Sequence, residues 1–359
     1  MNKKRQKIVV GSLKAAAGIG IVAWILVRLD EQDIWDQLRS AMANWPWVLA
    51  GFSGFIVCLI AISLRWQALL VAQGVRLQLR RVISLSFIGH FFNALMLGGT
   101  GGDIAKAYYV SREVGGQRTE AIATILVDRI TGLITMIMIA DVMMLAQTRL
   151  FMATPVLRQV YWWTLAISAT AYLALIAAFS QNLLEKVPLF RRILGKMQRV
   201  GEIIHRVYDA FYLYRDHPGA LLASLAYSTI NQGVLVMMTV AFGYSLGVSL
   251  DLAVYYAIIP IANILGAMPL TPGGIGIREG AYVLLLPEFA VSDGHALVMS
   301  LLLTTSMTLW SLIGGAVFVL YTSGSGHKLS EELDQLQHTE DETADTDAQE
   351  SPGGPADRQ

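Results

Sequence analysis

The stretch PGGIGIREG, residues Pro272–Gly280, interrupts an apolar region that begins at Leu252. Glycine permits φ > 0 and close backbone approach, so the stretch predicts a tight turn between two helical segments. A helix that begins after such a turn presents unpaired N–H groups and the positive end of its dipole. Arg278 adds a full positive charge at the same end. The stretch is therefore typical of an anion-binding turn.

A similar turn lies earlier in the chain. The apolar region Val82–Leu97 is followed by GGTGGDIAK, residues Gly98–Lys106. In both turns a Gly-Gly pair precedes a cation, and the cation is four residues after the second glycine (102 + 4 = 106; 274 + 4 = 278). An aromatic segment follows each cation. The two turns therefore read as two copies of one unit.

The composition predicts a membrane protein. The residues are 54% hydrophobic and 15% charged, and the mean hydropathy is +0.51, whereas soluble domains average about 25% charged residues. A soluble globular enzyme and a nucleic-acid binder are therefore excluded as main interpretations. Six stretches reach the roughly 20 apolar residues that a membrane-spanning helix needs. They are Ile8–Val27, Trp47–Val71, Ala121–Ala146, Val160–Phe179, Ala220–Tyr244 and Ala296–Tyr321.

The distribution of basic residues predicts the orientation, because Lys and Arg accumulate in cytoplasmic loops. The N-terminus Met1–Lys7 and the long loop 181–218 are basic, whereas Asp30–Asp36 is acidic and reads as an outside loop. The spacing in 181–218 favours an amphipathic helix on the membrane surface, with a soluble linker helix as the alternative. These assignments agree only if each glycine-broken region enters and leaves the membrane on one side.

The sequence therefore predicts an all-α polytopic membrane protein with about six full transmembrane helices, two glycine-broken re-entrant hairpins and both termini in the cytoplasm. Ten full crossings are the alternative, but Ala281–Leu286 is too short to span a membrane unaided.

An odd number of spans, three, separates the hairpins, so the halves at about 8–146 and 160–321 form an inverted repeat. Inverted repeats with interrupted helices at matching positions are typical of transporters with a binding site near the midplane. Chance similarity of two glycine-rich turns is the alternative. The transmembrane domain 1–326 is followed by a tail, 327–359, with two basic and ten acidic residues (2 − 10 = −8). This composition predicts a disordered cytoplasmic tail.

Two opposed helix N-termini and two cations suit a phosphate that is carried into the membrane. The alternative is that Lys106 and Arg278 only reach toward the membrane surface. Asp128 and Arg129 lie inside a predicted span, where ionisable groups usually face a cavity or a partner. A structural salt bridge is the alternative for them, and Asp128 and Glu279 are candidates for ion coupling. The candidate substrate-binding residues are Gly101, Gly102, Asp103, Lys106, Arg129, Gly273, Gly274, Arg278 and Glu279.

These motifs resemble the transmembrane family of lysylphosphatidylglycerol synthase, a flippase-like domain. The resemblance covers about residues 8–321, and Met268–Gly280 is its most specific part. In the first hairpin, Gly98 replaces the family's proline, Asp103 its glutamate and Lys106 its arginine. The resemblance implies lipid translocation between leaflets and does not imply lysine transfer, which belongs to a soluble domain of the synthases.

We therefore expect a flippase or transporter of an anionic or phosphate-bearing lipid in the bacterial inner membrane, with a phospholipid or a polyprenyl phosphate as substrate. An integral membrane enzyme acting on a lipid phosphate is the alternative, with Asp103 and Glu279 as its only candidate acid–base groups. A separately encoded synthase or transferase is a candidate partner. No motif predicts a metal, another cofactor, an ATP site or a catalytic constellation.

Overall fold

The computed structural model describes residues 3–29, 31–95, 101–114, 117–179, 209–267 and 271–324. Gly98–Thr100, the acidic tail 327–359 and most of the predicted amphipathic segment 181–218 lie outside the described residues. The described part of the chain is α-helical and has no strand. Its helices are α1 (Lys3–Arg28), α2 (Glu31–Ala43), α3 (Trp45–Ala72), α4 (Leu79–Leu95), α5 (Gly101–Glu113), α6 (Arg118–Ala146), α7 (Thr148–Phe151), α8 (Pro155–Phe179), α9 (Pro218–Ser245), α10 (Leu252–Ala267), α11 (Ile277–Leu285) and α12 (Asp293–Gly324). Two 3₁₀ turns, Pro272–Gly274 and Leu286–Phe289, flank α11.

Each of the six predicted spans coincides with one long helix, namely α1, α3, α6, α8, α9 and α12. Helices α3 and α9 each begin two residues before their apolar run, and a proline in the first turn favours that early start. Among the described residues, four helices are long and apolar enough to cross a membrane, and these are α3, α6, α9 and α12. An all-α membrane protein is therefore confirmed, and the count of six spans stays a prediction.

The acidic segment that follows α1 is helical and not an irregular loop, and its place on the outer side stays a prediction. It forms α2, in which Ile34, Leu38 and Ala41 pack against the main apolar core. Their spacing places all three on one helix face, and burial of that face stabilises the helix although its other face carries charges. Helix α2 packs against α9 and α12.

The helix contacts occur in matched pairs. Helix α4 packs against α12 as α10 packs against α6, and α4 contacts α5 as α10 contacts α11. The contacts of α5 with α6, α3 with α4 and α3 with α6 likewise match those of α11 with α12, α9 with α10 and α9 with α12. Helices α3 and α9, which occupy equivalent places in the two halves, pack against each other. This is the contact pattern that two repeated halves produce.

Small residues permit the close approach of these helices. A Cβ atom built on Gly51 of α3 would lie 2.3 Å from the ring of Phe242 in α9. A Cβ atom on Gly314 of α12 would lie 2.3 Å from the carbonyl oxygen of Phe87 in α4. Glycine at helix crossings is typical of membrane proteins, in which van der Waals packing drives helix association.

Candidate functional site

The second glycine turn joins α10 to α11 through left-handed backbone. The φ angles are +61° at Gly273, +74° at Gly274 and +87° at Gly276. A Cβ atom on Gly274 would lie 2.1 Å from the carbonyl oxygen of Gly266, the next-to-last residue of α10. Only glycine fits there, because it tolerates positive φ and this close approach. The turn places Arg278 at the second residue of α11.

Arg278 is buried, with 7% of its surface exposed. Its Nη1 donates to Thr304 Oγ1 at 3.3 Å and lies 3.5 Å from Met307 Sδ, and its Nη2 donates to the carbonyl oxygen of Gly273 at 3.4 Å. Within the described part of the chain, its Nε has no hydrogen-bond partner and its guanidinium is in no ion pair. A buried cation with long, neutral contacts is only partly compensated for its lost hydration, so the site favours an anion.

Glu279, the next residue, is fully buried and faces other partners. Its Oε2 accepts from the backbone N–H of Gly276 at 2.5 Å, and its Oε1 accepts from Thr304 at 2.7 Å and from Ser300 at 3.4 Å. Thr304 therefore accepts from Arg278 and donates to Glu279. The two opposite charges are linked through one hydroxyl group and do not form a direct ion pair.

The first glycine turn is closed by a side chain. Helix α5 begins at the glycine pair itself, and the N–H of Gly102 donates to Asn93 Oδ1 at 2.9 Å. The prediction that the helix N-termini present free N–H groups is therefore wrong for two of these groups, since Asn93 occupies that of Gly102 and Glu279 occupies that of Gly276. The buried cations Lys106 and Arg278 can still attract an anion in this part of the molecule.

The two turns share one contact that their sequences do not show. A Cβ atom on Gly102 would lie 2.1 Å from the carbonyl oxygen of Gly89, just as one on Gly274 would lie 2.1 Å from that of Gly266. The same helix glycines face the two cations, because a Cβ on Gly89 would meet Lys106 at 3.0 Å and one on Gly266 would meet Arg278 at 3.2 Å. The two turns thus share this close backbone contact as well as their motif, although Gly102 lies within α5 and Gly274 precedes α11.

Lys106 is buried in a cluster with two other charged side chains. Its Nζ lies 3.8 Å from Asp128 Oδ2 and 4.8 Å from the centre of the Trp66 ring. The other oxygen of Asp128 accepts from Arg65 Nε at 2.6 Å, and Arg65 Nη1 donates to Ser228 at 3.1 Å. One carboxylate therefore serves two cations. Of the two interpretations of Asp128, the salt bridge is the one seen.

Asp103 and Arg129 form a separate pair at the edge of this cluster. Arg129 Nη1 donates to Asp103 Oδ2, and both side chains are partly exposed. The predicted headgroup contact of Arg129 would require it to share its guanidinium between Asp103 and the lipid.

The two turns lie close to each other. Helix α4, which leads into the first turn, contacts the 3₁₀ turn Pro272–Gly274. His90 of α4 is hydrogen-bonded to the carbonyl oxygen of Met307 at 3.1 Å, and Met307 Sδ contacts Arg278. The predicted residues of both hairpins therefore belong to one connected region.

Arg65, Ser300 and Thr304 are parts of this region that the sequence interpretation missed. Arg65 alone had a recognisable signal, because it is an arginine inside a 28-residue apolar helix, where an ionisable group usually has a buried partner. Gly132, one turn beyond Asp128, supplies the space, since a Cβ there would lie 2.6 Å from Arg65 Nη1. Serine and threonine are common in membrane helices, so Ser300 and Thr304 had no such signal. Among the described residues, no group of His, Cys, Asp or Glu side chains could hold a metal ion.

Comparison with known proteins gives one family and two relatives. The family model described as the lysylphosphatidylglycerol synthase TM region matches residues 9–315. A UPF0104 membrane protein of Pyrococcus horikoshii is 26% identical over 299 residues, which cover 76% of this chain and 86% of the relative. A UPF0104 membrane protein of Methanothermobacter thermautotrophicus is 20% identical over 338 residues, which cover 90% of this chain and 99% of the relative.

Proposed function

The chain belongs to the lysylphosphatidylglycerol synthase TM region family, and from this premise we propose that it moves an anionic or phosphate-bearing lipid between the two leaflets of a membrane. The observation that carries the proposal is Arg278, a buried guanidinium at the start of a helix that follows a glycine turn. A lipid phosphate supplies the anion that this site favours, because it can accept from the guanidinium nitrogens.

The proposed topology has about six full spans, two re-entrant hairpins in an inverted repeat, and both termini on the cytoplasmic side of a bacterial inner membrane. The matched helix contacts support the repeat, because the contacts that α3, α4, α5 and α6 make recur for α9, α10, α11 and α12. A repeat with two equivalent hairpins can offer one site to each leaflet in turn. The headgroup would cross the membrane between the hairpins while the acyl chains stay in lipid.

Tryptophan placement supports one membrane interface of this topology. Six of the eight tryptophans are exposed and lie on α2 or near helix ends that the topology places on the outer side. Tryptophan concentrates at membrane–water interfaces, where its ring is in the apolar layer and its N–H reaches water. The six residues are Trp24, Trp35, Trp45, Trp47, Trp162 and Trp163.

Ion coupling is proposed for Glu279 in preference to Asp128. Protonation of Asp128 would break two contacts with cations, to Arg65 and Lys106. Glu279 is in no ion pair among the described residues, and its partners are hydroxyl and N–H groups. A proton on Glu279 would therefore disrupt fewer charge contacts during a transport cycle.

Arg278→Gln is expected to reduce lipid flipping at least about tenfold, because loss of one buried charged partner costs about 2–5 kcal/mol and 1.4 kcal/mol corresponds to a factor of ten. The measurement uses purified protein in vesicles that contain a fluorescent phosphatidylglycerol, with dithionite quenching of the outer leaflet. Arg158→Gln is the matched control, since Arg158 is exposed, and should flip lipid as the wild type does. Wild-type rates no higher than those of protein-free vesicles would contradict the proposal, and equal rates for both variants would remove Arg278 from it.

A further inference from the structure

The buried charges around the two hairpins do not sum to zero. Within the described part of the chain, the charged side chains at least nine-tenths buried here are Arg65, Lys106 and Arg278 against Asp128 and Glu279. With Glu279 ionised, as in the state that would bind the lipid, their sum is 3 − 2 = +1. From this surplus we infer that the transported lipid presents a single negative charge, as a phosphodiester does. The inference rests on the proposed function and specifies its substrate class.

The remaining nearby charges leave the sum unchanged. Asp103 and Arg129 form a pair and add zero. Asp141 is also buried, but it lies 13 residues after Asp128 on α6 (141 − 128 = 13), about 20 Å along the helix axis at 1.5 Å per residue. Its two oxygens accept from Ser168 and Tyr172, both at 2.9 Å. Asp141 therefore belongs to the packing of α6 against α8.

The two repeats differ in how their cations are paired. Asp128 lies 22 residues after Lys106 (128 − 106 = 22), and the residue 22 positions after Arg278 is Ser300 (278 + 22 = 300). The second repeat thus has a hydroxyl group where the first has a carboxylate. Ser300 donates to Glu279, and no residue of α12 gives Arg278 a carboxylate among the described contacts. Arg278 is therefore the buried cation without a direct carboxylate partner among the described contacts, although Glu279 offsets its charge in the sum.

The charge of the ligand decides how well it fits this site. A phosphodiester monoanion brings the net charge of the buried side chains and the ligand to zero. Its oxygens can also accept from Arg278 Nε, which lacks a hydrogen-bond partner in the described structure. A phosphomonoester with two charges, such as phosphatidic acid or a polyprenyl phosphate, leaves a buried negative surplus. A zwitterionic headgroup brings its own cation and leaves the positive surplus. Uncompensated buried charge is costly in each of the last two cases.

The test compares three labelled lipids in the same vesicles, namely phosphatidylglycerol, phosphatidylethanolamine and phosphatidic acid, at pH 8. The wild type is expected to flip phosphatidylglycerol at least about tenfold faster than either of the others, a ratio equivalent to 1.4 kcal/mol. Lys106→Met lowers the net charge of the buried side chains to zero. It should reduce the ratio of the phosphatidylglycerol flipping rate to that of either other lipid to below about three.

A double variant that keeps the net buried charge tests whether lipid selectivity depends on that charge or on the particular residues of the cluster. Arg65→Met with Asp128→Leu removes one charge of each sign, so the buried sum stays +1. Its absolute rate is free to change, but its ratio of phosphatidylglycerol to the other two lipids should stay near that of the wild type. Because each ratio is measured within one variant, a partial loss of folded protein does not alter it.

The outcomes distinguish the two claims. If no lipid flips faster than in protein-free vesicles, the proposed function fails. If all three lipids flip at equal rates above that background, or phosphatidic acid is fastest, the proposed function stands and the single-charge inference is overturned. A double variant that loses selectivity as Lys106→Met does would also overturn it, because its charge sum is unchanged.

Discussion

Gly274→Ala is expected to reduce the yield of monodisperse protein at least about tenfold, the larger of two destabilising effects that the structure predicts. The added methyl group would lie 2.1 Å from the carbonyl oxygen of Gly266, which is backbone and has no rotamer to change. The φ of +74° adds strain for any residue with a Cβ. Since overpacking and special-φ strain both act at this position, we expect a loss above about 4 kcal/mol, which is exceptional for one substitution. The measurement is size-exclusion chromatography of the detergent-solubilised variant.

Gly273→Ala is the matched control, because it is the adjacent residue and has a similar φ of +61°. A Cβ atom there meets nothing within 4 Å. Only the left-handed strain applies, about 1–2 kcal/mol for an L-residue, so most of the protein should remain monodisperse. Equal behaviour of the two variants would contradict the packing of the turn against the end of α10.

Asp128→Ala is expected to destabilise the protein by about 3–5 kcal/mol, because it leaves two buried cations without their shared carboxylate. The affected contacts are those to Arg65 at 2.6 Å and to Lys106 at 3.8 Å. Thermal unfolding followed by size-exclusion chromatography in one detergent would measure the effect as a lower midpoint temperature.

The double variant Arg65→Met with Asp128→Leu should recover most of the lost stability. Replacing a buried ion pair by apolar side chains of similar volume is often neutral, whereas removing one partner is not. If the double variant were as unstable as Asp128→Ala, the loss would come from packing at position 128 and the charge explanation would be wrong.

The helices were predictable from the sequence because each is a long apolar run, and lipid requires such a run to satisfy its own backbone hydrogen bonds. Helix α2 was missed because its signal is weaker. Only one of its faces is apolar, and its charged residues favoured a loop. Helix α2 is stabilised by packing of its one apolar face against the rest of the protein, and the sequence of the segment alone shows this only weakly.

The cations of the candidate site were also predictable, since Lys106 and Arg278 hold the same place in two similar motifs. Their surroundings were not. Gly102 lies 13 residues after Gly89 (102 − 89 = 13), but Gly274 lies 8 residues after Gly266 (274 − 266 = 8), so unequal turn lengths hide the shared contact. The partners on other helices, Arg65 above all, depend on how helices pack, and no local spacing encodes that distance.

A structure of the protein in a nanodisc that contains phosphatidylglycerol would show whether a lipid headgroup binds at Arg278. We expect density for a lipid phosphate between the two hairpins, with its oxygens within hydrogen-bonding distance of the Arg278 guanidinium and its acyl chains directed into the bilayer. Lipid phosphates found only at the membrane surface, with Arg278 still bound to Thr304, Met307 and Gly273 alone, would contradict it.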